Sequence, residues 1–239
     1  VVQDIIPLEV IFENEDLIAI NKPHGLLVHR TKMARDVNVF ALQLLRNQTG
    51  LKLFPVHRLD RKTSGVLLFA KSAEVHKQVR QLFEARKVQK AYLAIVRGFA
   101  PATGTINYPL TYENKIQEAI THYECLEYFE IPVSSGKYPT SRYSLVELSP
   151  ETGRFHQLRK HMAHIFHPII GDRPHGCNKQ NRFWKEHFHL TEMLLHAYRL
   201  SFYYPNNSYI FISAFLSGPF TRALTILREI NVLNKDHFK

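Results

Sequence analysis

The sequence predicts an α+β fold: a mixed, mainly antiparallel central sheet flanked by helices. Three observations lead there. Short apolar runs are interspersed with segments of helical spacing. Strand-like runs recur in pairs with no helix between them, which breaks strict βαβ alternation. Near the end of the chain, two such runs flank Pro205-Asn206-Asn207-Ser208, a hairpin signal.

Leu17-Ile18-Ala19-Ile20 is a short apolar run closing on Asn21-Lys22-Pro23, a strand that ends in a loop. Val37, Phe40, Ala41 and Leu44 fall at i, i+3, i+4 and i+7 behind Asp36, a candidate N-cap, and predict a helix. Residues 66–70 read as a buried strand. Val75, Val79, Leu82 and Phe83 repeat the helical spacing, with Ser72 as the cap. Residues 92–96 form a strand stopped at Gly98, and residues 144–148 form another. Leu158, Met162 and Ile165 share one helical face, with Pro168 just beyond. Residues 200–204 and 209–214 make the hairpin, and Phe220, Leu224, Leu227 and Ile230 mark a last helix. No domain boundary, repeat or low-complexity linker is visible, so residues 1–239 are expected to form one domain.

Hydrophobic residues make up 45% of the 239, a globular composition. Lys plus Arg number 31 against 21 Asp plus Glu, a net charge of 31 − 21 = +10. That balance suits a polyanionic partner, nucleic acid first and an acidic membrane surface second. The two cysteines, Cys125 and Cys177, lack CxxC spacing, which speaks against a zinc ribbon or a disulfide framework and fits a reducing cytosol. No apolar run approaches the roughly 18 residues of a spanning helix. The first residues lack the pattern of a signal peptide. A cytoplasmic protein with no membrane role is expected.

Chemistry concentrates in His57-Arg58-Leu59-Asp60-Arg61-Lys62-Thr63-Ser64-Gly65, just before an apolar strand. One carboxylate, Asp60, sits among Arg58, Arg61 and Lys62. Nearby positive charge keeps a carboxylate ionised, as a nucleophile requires, and the cations are suited to phosphates. The same pattern also fits a solvated turn in which Asp60 only pairs with a neighbouring arginine. A second segment, Gly153-Arg154-Phe155-His156-Gln157-Leu158-Arg159-Lys160-His161, opens a helix; Arg159 lies beside its apolar face, to reach a cleft or to snorkel at the surface. Lys90-Ala91-Tyr92 starts a strand with an aromatic ring, a candidate for stacking on a base or for the core. His156, His161, His164 and His167 crowd together, but no HExxH occurs and no carboxylate lies among them, so no metal is expected.

These segments resemble the RluA-type pseudouridine synthases. Residues 57–65 resemble that family's signature loop. Asn21-Lys22-Pro23-His24-Gly25-Leu26-Leu27-Val28-His29 is similar to its early KPxGxxVH element, and Lys90-Ala91-Tyr92-Leu93-Ala94-Ile95-Val96-Arg97-Gly98 to its KxYxAxVxG strand. Gly153-Arg154-Phe155-His156-Gln157-Leu158-Arg159, Pro168-Ile169-Ile170-Gly171-Asp172 and Leu195-His196-Ala197 resemble its GRxHQLR, PIxGD and LHA elements, all in family order. Thr121-His122-Tyr123, residues 137–148 and Gly171-Asp172-Arg173-Pro174-His175-Gly176 are similar to the subgroup that acts on tRNA, although many relatives carry Tyr where His175 stands.

The resemblance implies a pseudouridine synthase catalytic domain with a central RNA-binding cleft, no cofactor and no S4 module. It implies that Asp60 is the catalytic aspartate and that Arg159 pairs with it. Arg58 would fill the space left by a flipped uridine. Tyr92 would stack on the target base and is a candidate base for the proton lost late in the reaction. Leu158 would pack near the base. With His57, Arg61, Lys62 and Arg154, these residues form the expected catalytic and RNA-binding set. The expected partner is RNA, tRNA ahead of ribosomal RNA, met by a monomer with no obligatory protein partner.

Overall fold

The computed structural model describes residues 7–29, 39–204 and 207–232. Asp36, Val37, Pro205 and Asn206 lie outside the described residues. In chain order the elements are β1 (Val10–Glu13), β2 (Leu17–Lys22), α1 (Ala41–Thr49), β3 (Phe54–Pro55), β4 (Ser64–Ala70), α2 (Ala73–Glu84), β5 (Gln89–Arg97) and β6 (Thr103–Asn107). They continue with β7 (Leu110–Tyr112), β8 (Lys115–Gln117), β9 (Ile120–Ile131), β10 (Ser141–Pro150), α3 (Gln157–His164), α4 (Asn178–Phe188), β11 (Leu195–Tyr203), β12 (Tyr209–Ser213) and α5 (Gly218–Ile230). The fold is α+β with mainly antiparallel pairing and helices, as the sequence predicts. The contacts divide the chain into two compact units, residues 1–90 with 197–215, and residues 91–196 with 216–239.

In the first unit β2 pairs antiparallel with β1 and β4, β3 pairs with β4, and β11 pairs with β12. Leu17 and Ala19 of β2 and Val66, Leu68 and Ala70 of β4 share one buried cluster with Val75 and Val79 of α2. The alternation of strand side chains and the 3.6-residue helical period dictate these positions. Each fully buried valine contributes about 1.5–3 kcal/mol. Ser72 caps α2 by accepting the Val75 N–H, as its position before the helical pattern indicates. The other face of β2 carries Ile18, Ile20 and Lys22, all fully buried.

In the second unit the strand order is β5-β10-β9-β6, antiparallel throughout, and β7-β8 is a separate hairpin. Leu158 and Met162 of α3 join Ala94, Val96, Val146 and Leu148 in its core, with Tyr92 and Ile165 packed against them. Helix α5 is tied to β9 by Asn231, which accepts from the Glu130 N–H and donates to the Tyr128 carbonyl.

Candidate active site

The Asp60 loop connects β3 to β4 in the first unit. The Thr63 N–H donates to the Asp60 carbonyl at 3.1 Å and closes a turn over Arg61 and Lys62. An aspartate suits the first position of such a turn. Leu59 is buried and anchors the loop beside its charged neighbours, and Thr63 and Ser64 are buried behind it. Arg58 and Arg61 are exposed, and Lys62 is half-buried. The His57 Nε2 accepts the Leu68 N–H of β4 at 3.1 Å, and its ring stacks on Phe83. Burial, with Lys90 as a second cause, pushes the His57 pKa down to about 4, so the ring is neutral. His57 thus spends one ring nitrogen inside the protein, a placement that the sequence alone does not suggest.

At Gly65 the chain enters β4 with φ +106, and a Cβ there would lie 2.2 Å from the Ala197 carbonyl oxygen of β11. Only glycine fits a backbone that close, in a conformation that L side chains rarely adopt. The β2–β4 register sets Gly65 opposite Lys22.

Lys22 is the residue of this loop system that sequence reasoning does not single out: it stands in the KPxGxxVH-like element with no role of its own. Its ammonium donates to the carbonyls of Pro23, Leu26 and Arg61 at 2.8, 2.9 and 3.2 Å. Arg61 answers with Nε to the Gly25 carbonyl, and the Gly25 N–H donates to the Arg61 carbonyl. The early loop and the Asp60 loop are therefore stitched into one body. Burial pushes the Lys22 pKa down to about 7 against the opposing pull of the Asp60 charge. The signal that could have found it is a lysine closing an apolar strand immediately before a proline. Lys90 is likewise lowered, to about 8, by burial and then by Arg86.

In the second unit Arg159 is buried, so it is not a snorkelling cation. Its Nε and Nη2 donate to the two carboxylate oxygens of Asp172 at 2.8 and 2.7 Å. Asp172 Oδ1 also accepts the His175 N–H at 3.3 Å. Asn181 fixes this corner by donating to the Asp172 carbonyl and accepting from the Gly171 N–H. Asp172 is thus a partner of Arg159 that residue spacing does not reveal. Helix α3 itself is pinned by Gln157, which accepts from Thr152 Oγ1 and the Arg154 N–H and donates to the Ile120 carbonyl and Thr121 Oγ1. Leu158 and Tyr92 meet in the same core cluster, Tyr92 on β5 opposite Leu148. Arg154 is half-buried and donates from Nε to the Glu118 carbonyl.

The histidines of this region take internal partners. His161 sits between Thr121 Oγ1 and the Tyr108 carbonyl, His167 meets the Arg97 carbonyl, and His156 bonds His175. Among the described residues no group of three or more His, Cys, Asp or Glu is placed to hold a metal ion, and no helix is long and apolar enough to cross a membrane.

Comparison with known proteins follows the same residues. Positions 16–164, which include Asp60, Tyr92, Arg154, Leu158 and Arg159, match the family described as RNA pseudouridylate synthase. The chain is 45% identical to the tRNA pseudouridine synthase C of Vibrio parahaemolyticus, over 84% of this chain and 86% of that protein. It is 47% identical to the tRNA pseudouridine synthase C of Haemophilus ducreyi, over 87% and 91%. Among solved structures it superposes on the human protein "RNA Pseudouridylate Synthase Domain Containing 4" with a TM-score of 0.70 and 26% identity, covering 92% of this chain and 93% of that one. A signature loop on a stitched turn, an arginine locked to a buried carboxylate, and sequence identity along most of its length place this chain in the RNA pseudouridylate synthase family.

Proposed function

We propose that the protein is a tRNA pseudouridine synthase with Asp60 as its nucleophile. The observation that carries the substrate is the 45–47% identity, over most of the chain, to enzymes named tRNA pseudouridine synthase C. The reaction breaks the uridine N1–C1′ bond, turns the base, and joins C5 to C1′. N1 ends with a proton and C5 loses one, so the balance is that of an isomerisation and needs no oxidant or reductant. The target lies in a paired tRNA region where the T-stem meets the acceptor stem. The enzyme therefore reads helix shape and backbone and flips the nucleotide out.

Whether it meets the sugar or the ring, the Asp60 carboxylate must be ionised. Arg58, Arg61 and Lys62 flank it on the loop as cations suited to the RNA backbone. Asp172 fixes the orientation of Arg159, the arginine that the family resemblance assigns to the catalytic carboxylate. Tyr92 stacks on the detached base and takes the C5 proton, and Leu158 beside it keeps water off. Arg58 fills the gap left in the RNA helix. The enzyme works as a monomer in the cytoplasm, where tRNA is found.

The test is nucleoside analysis after incubation with tRNA and, separately, with ribosomal RNA. Wild type should form pseudouridine in tRNA. Asp60→Ala should form none while binding the same RNA with near-normal affinity. Near-normal turnover by Asp60→Ala would remove Asp60 from the chemistry. Product confined to ribosomal RNA would overturn the tRNA assignment and leave the enzyme class standing.

A further inference from the structure

The second unit carries an aromatic array that the isomerisation does not use. The β7–β8 hairpin turns through Glu113 and Asn114, both at positive φ, and projects from an anchor at buried Leu110 and Ala119. Its Tyr112 lies 5.0 Å from Phe155, ring centre to ring centre. Phe155 stacks on His156 at 3.8 Å, and His156 meets His175 edge-on at 5.1 Å with a 2.9 Å contact between Nδ1 and Nε2. The His175 N–H reaches Asp172, the partner of Arg159. Four rings thus run in series from an exposed hairpin to the buried arginine.

Tyr112 is 39% exposed and Phe155 half-exposed, so both rings can be reached from solvent. The cations are interleaved with them. Lys160 Nζ lies 5.8 Å from the Phe155 ring centre, Arg154 reaches the hairpin's end at Glu118, and Lys115 is exposed on β8. Aromatic faces alternating with cations are the chemistry that holds single-stranded nucleic acid. The bases stack on the rings while the backbone meets the charges. A protein partner would be served by an apolar patch without this charge.

We propose that the Tyr112–Phe155–His156 array is a docking track for unstacked nucleotides of the substrate RNA, with Lys115, Arg154 and Lys160 on their phosphates. The proposal rests on the reading of the protein as an RNA-modifying enzyme.

The experiment is titration of the full chain with a tRNA transcript and with a uridine-rich single-stranded RNA, followed by fluorescence anisotropy, with melting temperatures recorded for every variant. Tyr112→Ala and Phe155→Leu should each weaken binding to both RNAs about fivefold or more, the value of one base–aromatic stack. Tyr112→Phe should restore it, because the ring is what matters. Tyr209→Ala, an exposed ring on β12 in the other unit, should leave affinity unchanged. Phe155→Leu keeps apolar bulk, and Tyr112 is on the hairpin surface, so lost affinity at unchanged melting temperature would support the track. Wild-type affinity in both variants, or loss in Tyr112→Phe equal to that in Tyr112→Ala, would overturn it. If wild type forms no pseudouridine yet Tyr112→Ala binds RNA more weakly, the enzymatic reading fails and the track stands.

Discussion

Arg159 presents two donors to both oxygens of Asp172, and the two side chains are 5% and 1% exposed. Removing one partner of such a pair leaves the other charge buried and uncompensated, at about 3–5 kcal/mol. Arg159→Met should lower the unfolding free energy by about that amount, and Asp172→Leu by a similar amount. The double variant should recover most of the loss, as read from denaturant melts, whereas strictly additive losses would argue against a buried pair. His57 yields a pH prediction. The unfolded chain binds a proton there below pH 6.5, the folded chain only near pH 4. Through this group the unfolded state binds more protons inside that window, so stability falls as pH drops from 6.5 to about 4. Protonation would also oppose the Leu68 N–H with a second donor. In His57→Gln, which keeps an acceptor, this dependence should be lost. The stability advantage of wild type should therefore shrink on acidification and be constant above about pH 7.

At the level of elements, the start of β4 is the most constrained point near Asp60. The positive φ of Gly65 and its approach to Ala197 leave no room for a methyl group against fixed backbone. Gly65→Ala should destabilise the protein by more than about 2 kcal/mol, from strain and from forcing two strands apart. It should depress pseudouridine formation too, because the Asp60 loop enters the sheet there. Gly153 offers the contrast, with open space around its Cβ position and no positive φ. Gly153→Ala should stay within about 0.5 kcal/mol of wild type in thermal melts. Equal losses in the two variants would show that close backbone approach is not what selects glycine at Gly65.

For the molecule as a whole, the net charge of +10 sets the range and salt sensitivity of RNA binding. Arg58 and Arg61 are exposed, and Lys62, Arg154 and Lys160 are half-buried. About five phosphate contacts from this set predict a log–log slope of binding against salt near −3.5 to −4.5, the range spanning single- and double-stranded contacts. Affinity measured across a salt series should show that slope, and a slope near zero would contradict an electrostatic RNA grip.

Helices and strands with a clean local period are legible in the sequence by itself: Val75 and Val79 with the Ser72 cap, the apolar run of β4, and the face of Leu158 and Met162. Strand β9 is not, because its register against β10 slips by one residue and leaves Leu126 out of step and 47% exposed, which breaks the period-2 pattern. Helix α4 escapes sequence reading because its first turn is wholly polar and its aromatic residues, Phe183, Trp184 and Phe188, gather in the second half. The residues that resemble the family motifs can be named from sequence, since motif chemistry is written in consecutive positions. That Lys22 reaches the Arg61 carbonyl, that Asp172 locks Arg159, that His57 faces inward and that Tyr112 meets Phe155 are decided only in three dimensions. Each of these contacts joins residues 11 to 43 positions apart, and one-dimensional spacing carries no record of which distant backbone or ring a side chain will reach once the strands have paired.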